Sequence, residues 1–181
     1  MTETYHRLIS TLDRARARYR VIRHPPAGNT EHASAVRGHP LDQAAKCLVV
    51  RVGIGKRSRR YTLAVVPGDR QVDLERLSGL MGGTRAAFAR TDIAERLTGS
   101  VSGSIIPFSF DPELALVVDG SLLGTPEMYF NAARLDTSVA LATQDYPAIA
   151  RPRIADIAAP ACRPPAAVGR PAGYATEPDH G

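Results

Sequence analysis

A lysine set in an apolar strand is the residue of this chain best suited to chemistry. Lys46 interrupts the run Ala44-Ala45-Lys46-Cys47-Leu48-Val49-Val50, while arginine supplies nearly all the other positive charge and Lys56 is the one other lysine. An ammonium in a half-buried strand loses hydration unless an anion or a ring of carbonyls meets it. A compact charge with three donors grips one small oxygen in a narrow pocket better than the planar fork of guanidinium does. The alternative is a lysine that snorkels from a strand end or pairs with a nearby carboxylate. A second stretch, Thr98-Gly99-Ser100-Val101-Ser102-Gly103-Ser104-Ile105-Ile106-Pro107-Phe108, reads as a shaped loop. Glycines let backbone N–H groups approach a ligand, and a proline stiffens the turn. Such amides can hold a carbonyl oxygen as it gains negative charge, which is worth about 3 kcal/mol per well-placed donor. The same composition also serves as an ordinary surface turn.

Other machinery is missing from the sequence. His6, His24, His32, His39 and His180 show neither HExxH nor a Cys/His pairing at zinc spacing, so no metal is expected. There is no G-x-S-x-G elbow and no P-loop, and Gly53-x-Gly55 is too short for a dinucleotide fingerprint. An enzyme made from this chain would work by positioning and by backbone dipoles.

The elements that must position these residues follow from periodicity and punctuation. Residues 5–18 predict an amphipathic helix with Tyr5, Leu8, Ile9 and Leu12 on one face and Arg7, Arg14 and Arg18 opposite, a face either solvated or turned to phosphates. A strand over 19–23 stops at His24-Pro25-Pro26-Ala27-Gly28, and Thr30 reads as the N-cap of a short helix that Gly38 ends. Residues 45–52 and 60–66 are the strongest strands and predict an antiparallel hairpin whose loop carries Lys56, Arg57, Arg59 and Arg60. Asp73 caps a helix through Leu80. A strand near 85–89, a helix near 91–97, strands at 114–119, 127–131 and 138–142, and a helix over 143–150 complete the pattern.

With 181 residues, 44% hydrophobic and 23% charged, the chain predicts one α+β domain over 1–155 around a mixed, largely antiparallel, barrel-like sheet flanked by helices. From Pro160 onward, five prolines and three glycines in 22 residues predict a disordered tail over 160–181. A formal charge of +5 favours polyanionic partners, nucleic acid first among them. Cys47 and Cys162 form no disulfide framework, and no apolar run approaches the roughly 18 residues of a membrane span, so a cytoplasmic protein with no membrane partner is expected.

Read together, His24-Pro25-Pro26 with Thr30, Ala45-Lys46 entering a strand, Val66-Pro67-Gly68-Asp69-Arg70-x-Val72-Asp73-Leu74, Thr98-Gly99, Gly103-x-x-x-Pro107-Phe108 and Phe130-Asn131-Ala132 resemble the YbaK/ProX family of aminoacyl-tRNA deacylases. Order and spacing fit over roughly residues 5–150. The likeness is greatest to a YeaK-like branch, through Arg37-Gly38, Pro107-Phe108-Ser109-Phe110 and Phe130-Asn131-Ala132 with Leu135-Asp136. Ala133 departs from the pattern, standing where most members have glycine, and its methyl would narrow the pocket.

The resemblance implies hydrolysis of the ester of mischarged tRNA carrying a small amino acid, serine, threonine or alanine, with no metal or nucleotide cofactor. Mischarged tRNA is then the partner, and an aminoacyl-tRNA synthetase a second one. Lys46 would be the essential lysine, and Gly103 and Ser104 would belong to the catalytic loop. His24, Pro25, Thr30, Leu48, Ile106, Pro107 and Asn131 would bind substrate, with Leu48, Val50 and Ile106 as the apolar wall, and Ser104 or Asn131 would hydrogen-bond a hydroxyl-bearing side chain. Arg7, Arg14, Lys56, Arg57 and Arg60 would contact tRNA. Two readings compete: a non-catalytic RNA-binding module, which the absence of Trp and the few Phe and Tyr disfavour, and a small-molecule sensor that kept the pocket without turnover.

Overall fold

Strands β2 (Ala45–Ile54) and β3 (Ser58–Pro67) are apolar almost throughout because both of their faces are covered. On one face Val49, Leu63 and Val65 pack against Leu8 and Leu12 of helix α1 (Glu3–Arg14) and against Met128 and Phe130. On the other, Val50, Val52, Ala64 and Val66 pack against Leu77 of α3 (Leu74–Leu80) and against Ile157. The computed structural model describes residues 3–56 and 58–160. The expected tail therefore lies outside the described residues, Pro160 excepted.

The remaining elements are β1 (Tyr19–Arg23), α2 (Thr30–Arg37), β4 (Arg85–Phe88), α4 (Thr91–Thr98), β5 (Leu114–Asp119), β6 (Glu127–Arg134), β7 (Thr137–Ala142), α5 (Tyr146–Ala150) and β8 (Arg153–Ala155). They form an α+β unit in which the strands divide between two sheets, β1-β7-β6 and β4-β2-β3-β5-β8, and close no barrel. Pairing is antiparallel except where β5 runs parallel to β3 and to β8. Among the described residues no helix is long and apolar enough to cross a membrane.

Three local differences from the sequence reading have physical causes. Helix α1 stops at Arg14 rather than residue 18, because Arg16 is left-handed (φ 52°) and Arg18 turns to Asp145, giving it both its backbone N–H (2.9 Å) and its guanidinium (2.6 Å). Asn29, not Thr30, caps α2, its Oδ1 accepting from His32 N at 3.1 Å. The short β8 has no periodic signal of its own. It is held by Asp119, whose buried carboxylate accepts from Ile157 N (2.9 Å) and Ala158 N (2.7 Å) as well as from Ser121.

Burial opposes the Asp119 charge, but these hydrogen bonds prevail and hold its pKa below the usual value. A carboxyl depressed in the fold stabilises above its unfolded pKa and loses that contribution as pH falls toward the folded one. Asp119→Ala, which strands two buried N–H groups, should cost about 2–3 kcal/mol in urea unfolding at neutral pH. The gap between wild type and variant should close below about pH 4.

Candidate active site

Strand β4 pairs with residues 50–53 of β2 and goes no further, so beside residues 45–48 that edge of β2 is left open. Val49 O accepts from Ala89 N (2.8 Å), and the period of two turns the backbone groups of Cys47 toward the same side. There a cavity of about 350 Å³ opens, within the range of small-molecule sites. Its walls come from α2 and the turn before it, from residues 44–48, from Gly103 and Ile105, and from β6 at Tyr129, Phe130 and Asn131.

Lys46 lines this cavity half-buried, and its Nζ donates to Arg70 O at 2.7 Å in the turn that follows β3. Among the described residues no carboxylate pairs with it, so two of its three donors remain for a ligand. Gly103 lines the same cavity, and its backbone is left-handed (φ 85°) and lies against Gly28. Asn131 fastens the two loops, Nδ2 donating to Ala27 O (2.6 Å) and to Gly103 O (2.8 Å). The Ser104 N–H is used by Val101 O (3.0 Å), whereas those of Gly103 and Ile105 donate to no acceptor among the described residues. Lys46 and the residues with free amides, Gly103 and Ile105, thus line one cavity, an arrangement that can receive a carbonyl oxygen and the negative charge it gains.

A second cation lines the same space. Arg37, in the last turn of α2, donates from Nη1 to Ser138 Oγ (3.0 Å) and Asn131 Oδ1 (3.4 Å), while its Nε is buried without a partner. Burial lowers its pKa to about 10, and no carboxylate neutralises it among the described residues. The Tyr129 wall is rigid. Its hydroxyl donates to Glu127 (2.8 Å) and accepts from Arg20 (2.8 Å), and the His39 ring stacks on it at 3.8 Å.

Of the residues singled out in the sequence, Lys46, Gly103, Thr30, Leu48 and Asn131 line the cavity, and the others do not. Ser104 is fully buried and its Oγ donates to Val101 O (2.9 Å), so it reaches neither substrate nor water. Asn131 has both N–H groups committed and its Oδ1 accepts from Ser138 (2.9 Å), so it shapes the pocket and is not free to bind a substrate hydroxyl. His24 bonds Pro25 O (2.7 Å) and Ser138 Oγ (2.7 Å), which makes the His24-Pro25 corner a brace. Ile106 and Val50 belong to the core, and Pro107 gives its carbonyl to Tyr146 at 2.5 Å. Ala133 sits left-handed (φ 56°) and buried at a bulge in β6 rather than beside the ligand space, so its methyl does not narrow the cavity. The positive φ explains why glycine suits that position.

The expected tRNA contacts are dispersed. Arg7 lies over the Phe110 ring (4.3 Å) in a groove that also holds Glu3 and Asp111, and Arg14 Nε donates within its own helix to Ser10 O (3.1 Å). Lys56 and Arg60 are exposed, and Arg57 lies outside the described residues. Reading the sequence missed Arg37 and Tyr129 as cavity residues. For Arg37 a signal existed, a cation in the last turn before a helix-ending glycine that opens toward the lysine strand.

Comparison with known proteins places this geometry among relatives. Residues 24–149 match the family model described as "Aminoacyl-tRNA editing domain". The chain is 43% identical over 152 residues to the "Multifunctional Ser/Thr-tRNA deacylase ProXp-y" of Escherichia coli strain K12, covering 83% of this chain and 90% of that protein. It is 27% identical over 121 residues to the "Prolyl-tRNA editing protein ProX" of Acetoanaerobium sticklandii, covering 65% of this chain and 72% of that one. Among solved structures it resembles "hypothetical protein APE2540" with a TM-score of 0.76 at 21% identity, over 84% of this chain and 99% of the other, a likeness of fold.

Proposed function

Because the chain belongs to the aminoacyl-tRNA editing domain family, also called YbaK/ProX, we propose that it is a trans-editing deacylase that hydrolyses the ester of tRNA mischarged with serine or threonine. The observation that carries this reading is that Lys46 lines one cavity with Gly103 and Ile105, whose amides are unbonded among the described residues. An aminoacyl ester is already activated, so the protein need only orient it and stabilise the tetrahedral oxyanion. Water attacks the acyl carbon, the bond to the ribose oxygen breaks, that oxygen takes a proton, and free amino acid leaves uncharged tRNA. The amides of Gly103 and Ile105 face the developing oxyanion. Lys46 holds the ester end, and Arg37 supplies a second cation for the neighbouring terminal phosphate. Glu31, an exposed carboxylate of the same cavity, suits the substrate's α-ammonium. The protein works on the tRNA of the cytoplasm, and a synthetase that mischarges tRNA is its natural second partner.

Side-chain selection falls to Thr30. Its hydroxyl lines the cavity with no partner among the described residues, whereas Cys47, Leu48 and Ile105 are apolar and burial pushes the Cys47 thiol's pKa up. A panel of Ser-, Thr-, Ala- and Cys-charged tRNAs should show release of serine and threonine foremost, and turnover of none of them would refute the reading. Thr30→Val, which keeps shape and removes the hydroxyl, should lower the rates on Ser- and Thr-tRNA about 5–10-fold and leave Ala-tRNA unchanged.

A further inference from the structure

Among the described residues some arginines are paired with a carboxylate and others are not. Arg18, Arg20, Arg76, Arg90 and Arg134 each sit in an ion pair with a carboxylate. Arg51, Arg59 and Arg85 are exposed and have no such partner among the described residues. The strand register brings these three together. Gly53 of β2 stands opposite Arg59 of β3 on one side and Arg85 of β4 on the other, so all three positions point to one face, with Arg51 two residues along on the same face. Gly53 leaves a gap between the flanking cations, and a Cβ there would lie 3.6 Å from Arg85 Cγ.

This face also buries Val49 and Leu63 deeper in the fold. Where it emerges, two grooves meet at Arg51 and Arg59. One, of about 200 Å³, adds Lys56 and Arg85; the other, of about 410 Å³, adds Tyr61, Phe88 and Arg90. Among the described residues no acidic side chain lines either groove. Like charges set side by side on neighbouring strands destabilise a sheet unless something neutralises them.

Strand β2 runs from this face to the open edge at residues 45–48; Lys46, an odd number of residues from Arg51 and Gly53, projects from the other face, so the 3′ end must pass around that edge to reach it. The strand rises about 3.3 Å per residue, so Arg51 lies roughly 17 Å from Lys46 and Gly53 roughly 23 Å. A stacked nucleic-acid strand advances about 3.4 Å per nucleotide, so about five to seven nucleotides span that distance.

We propose that the outward face of β4-β2-β3, built on Arg51, Arg59 and Arg85, binds the sugar-phosphate backbone of the tRNA acceptor arm while the single-stranded 3′ end reaches Lys46. The proposal rests on the deacylase reading and moves the tRNA-binding surface away from the Arg7 and Arg14 face of α1. The contacts are to phosphates, so the surface holds tRNA without reading its sequence.

The test is the triple variant Arg51→Gln, Arg59→Gln, Arg85→Gln, assayed with Ser-tRNA and with seryl-adenosine, the same ester without the polynucleotide. On Ser-tRNA, KM should rise at least tenfold with kcat unchanged. The slope of log affinity for uncharged tRNA against log salt should become shallower by about 3, close to one unit per lost phosphate contact. Turnover of seryl-adenosine and the urea midpoint should stay at wild-type values. An unchanged KM and salt slope on tRNA would overturn the proposal, as would an equal loss on both substrates, since that would mark a structural defect. A face that serves a protein partner instead would leave the tRNA affinity of the triple variant unchanged, which overturns the proposal. If the wild type hydrolyses neither ester, the deacylase reading falls, while the titration with uncharged tRNA still decides whether this face binds RNA.

Discussion

Lys46→Ala is expected to lower deacylation of Ser-tRNA by about 10²–10³-fold, the loss seen when one preorganised donor to a developing oxyanion is removed. The fold should survive, because the side chain makes one hydrogen bond, to Arg70 O at 2.7 Å, and losing it costs about 1 kcal/mol. Lys46→Arg is the more discriminating change. Guanidinium keeps the charge, but it is planar and its donors diverge, so it cannot hold Arg70 O and present a further donor in the space the ammonium occupies. Activity should therefore fall at least tenfold with arginine too. The measurements are single-turnover hydrolysis of Ser-tRNA and the urea midpoint of each variant. Turnover retained in the alanine variant would remove Lys46 from the chemistry, and full activity with arginine would reduce its role to an unspecific positive charge.

The position of Lys46 could be read because a charge inside an apolar run violates the pattern that builds the strand, and such violations mark sites. The hairpin of β2 and β3 was legible for the same reason, as were Asp73 and Gly38 at helix ends, where local chemistry dictates the residue. Legibility fails where a side chain's direction is set by partners far along the chain. Nothing near Asn131 says that its amide is spent on Ala27 and Gly103, and although Ser104 finds its partner only three residues back, at Val101 O, the packing that buries it comes from distant elements. Both residue types suit a polar pocket, so type alone misplaced them. Arg51, Arg59 and Arg85 are separated by up to 34 positions and become one surface only once the register sets Gly53 between two of them. Ala133 taught the opposite lesson: its departure from a family glycine was visible, but its consequence depended on a bulge that turns the residue into the core.

Gly103→Ala should be the most damaging small substitution in the chain. The residue sits at φ 85°, where any Cβ is strained, and the added carbon would lie 2.5 Å from Gly28 O and 2.8 Å from Gly28 Cα. Both obstacles are backbone, which cannot rotate away as a side-chain tip would, so the turn carrying Gly28 and the loop carrying Gly103 must separate. Separation breaks the pair of hydrogen bonds from Asn131 Nδ2 to Ala27 O and Gly103 O, and it moves the Gly103 and Ile105 amides off the proposed oxyanion position. Strain and the lost buried hydrogen bonds together predict about 3 kcal/mol or more of destabilisation and near-complete loss of deacylation. Gly82→Ala separates the two causes. Gly82 has a similar left-handed backbone (φ 69°) but nothing within 4 Å of an added Cβ, so that variant should pay backbone strain alone, about 1–2 kcal/mol, and keep wild-type turnover. Urea unfolding and Ser-tRNA hydrolysis on the two alanine variants decide the matter. Were Gly103→Ala to behave like Gly82→Ala in both, the close approach of these two backbones would not be what forms the catalytic pocket.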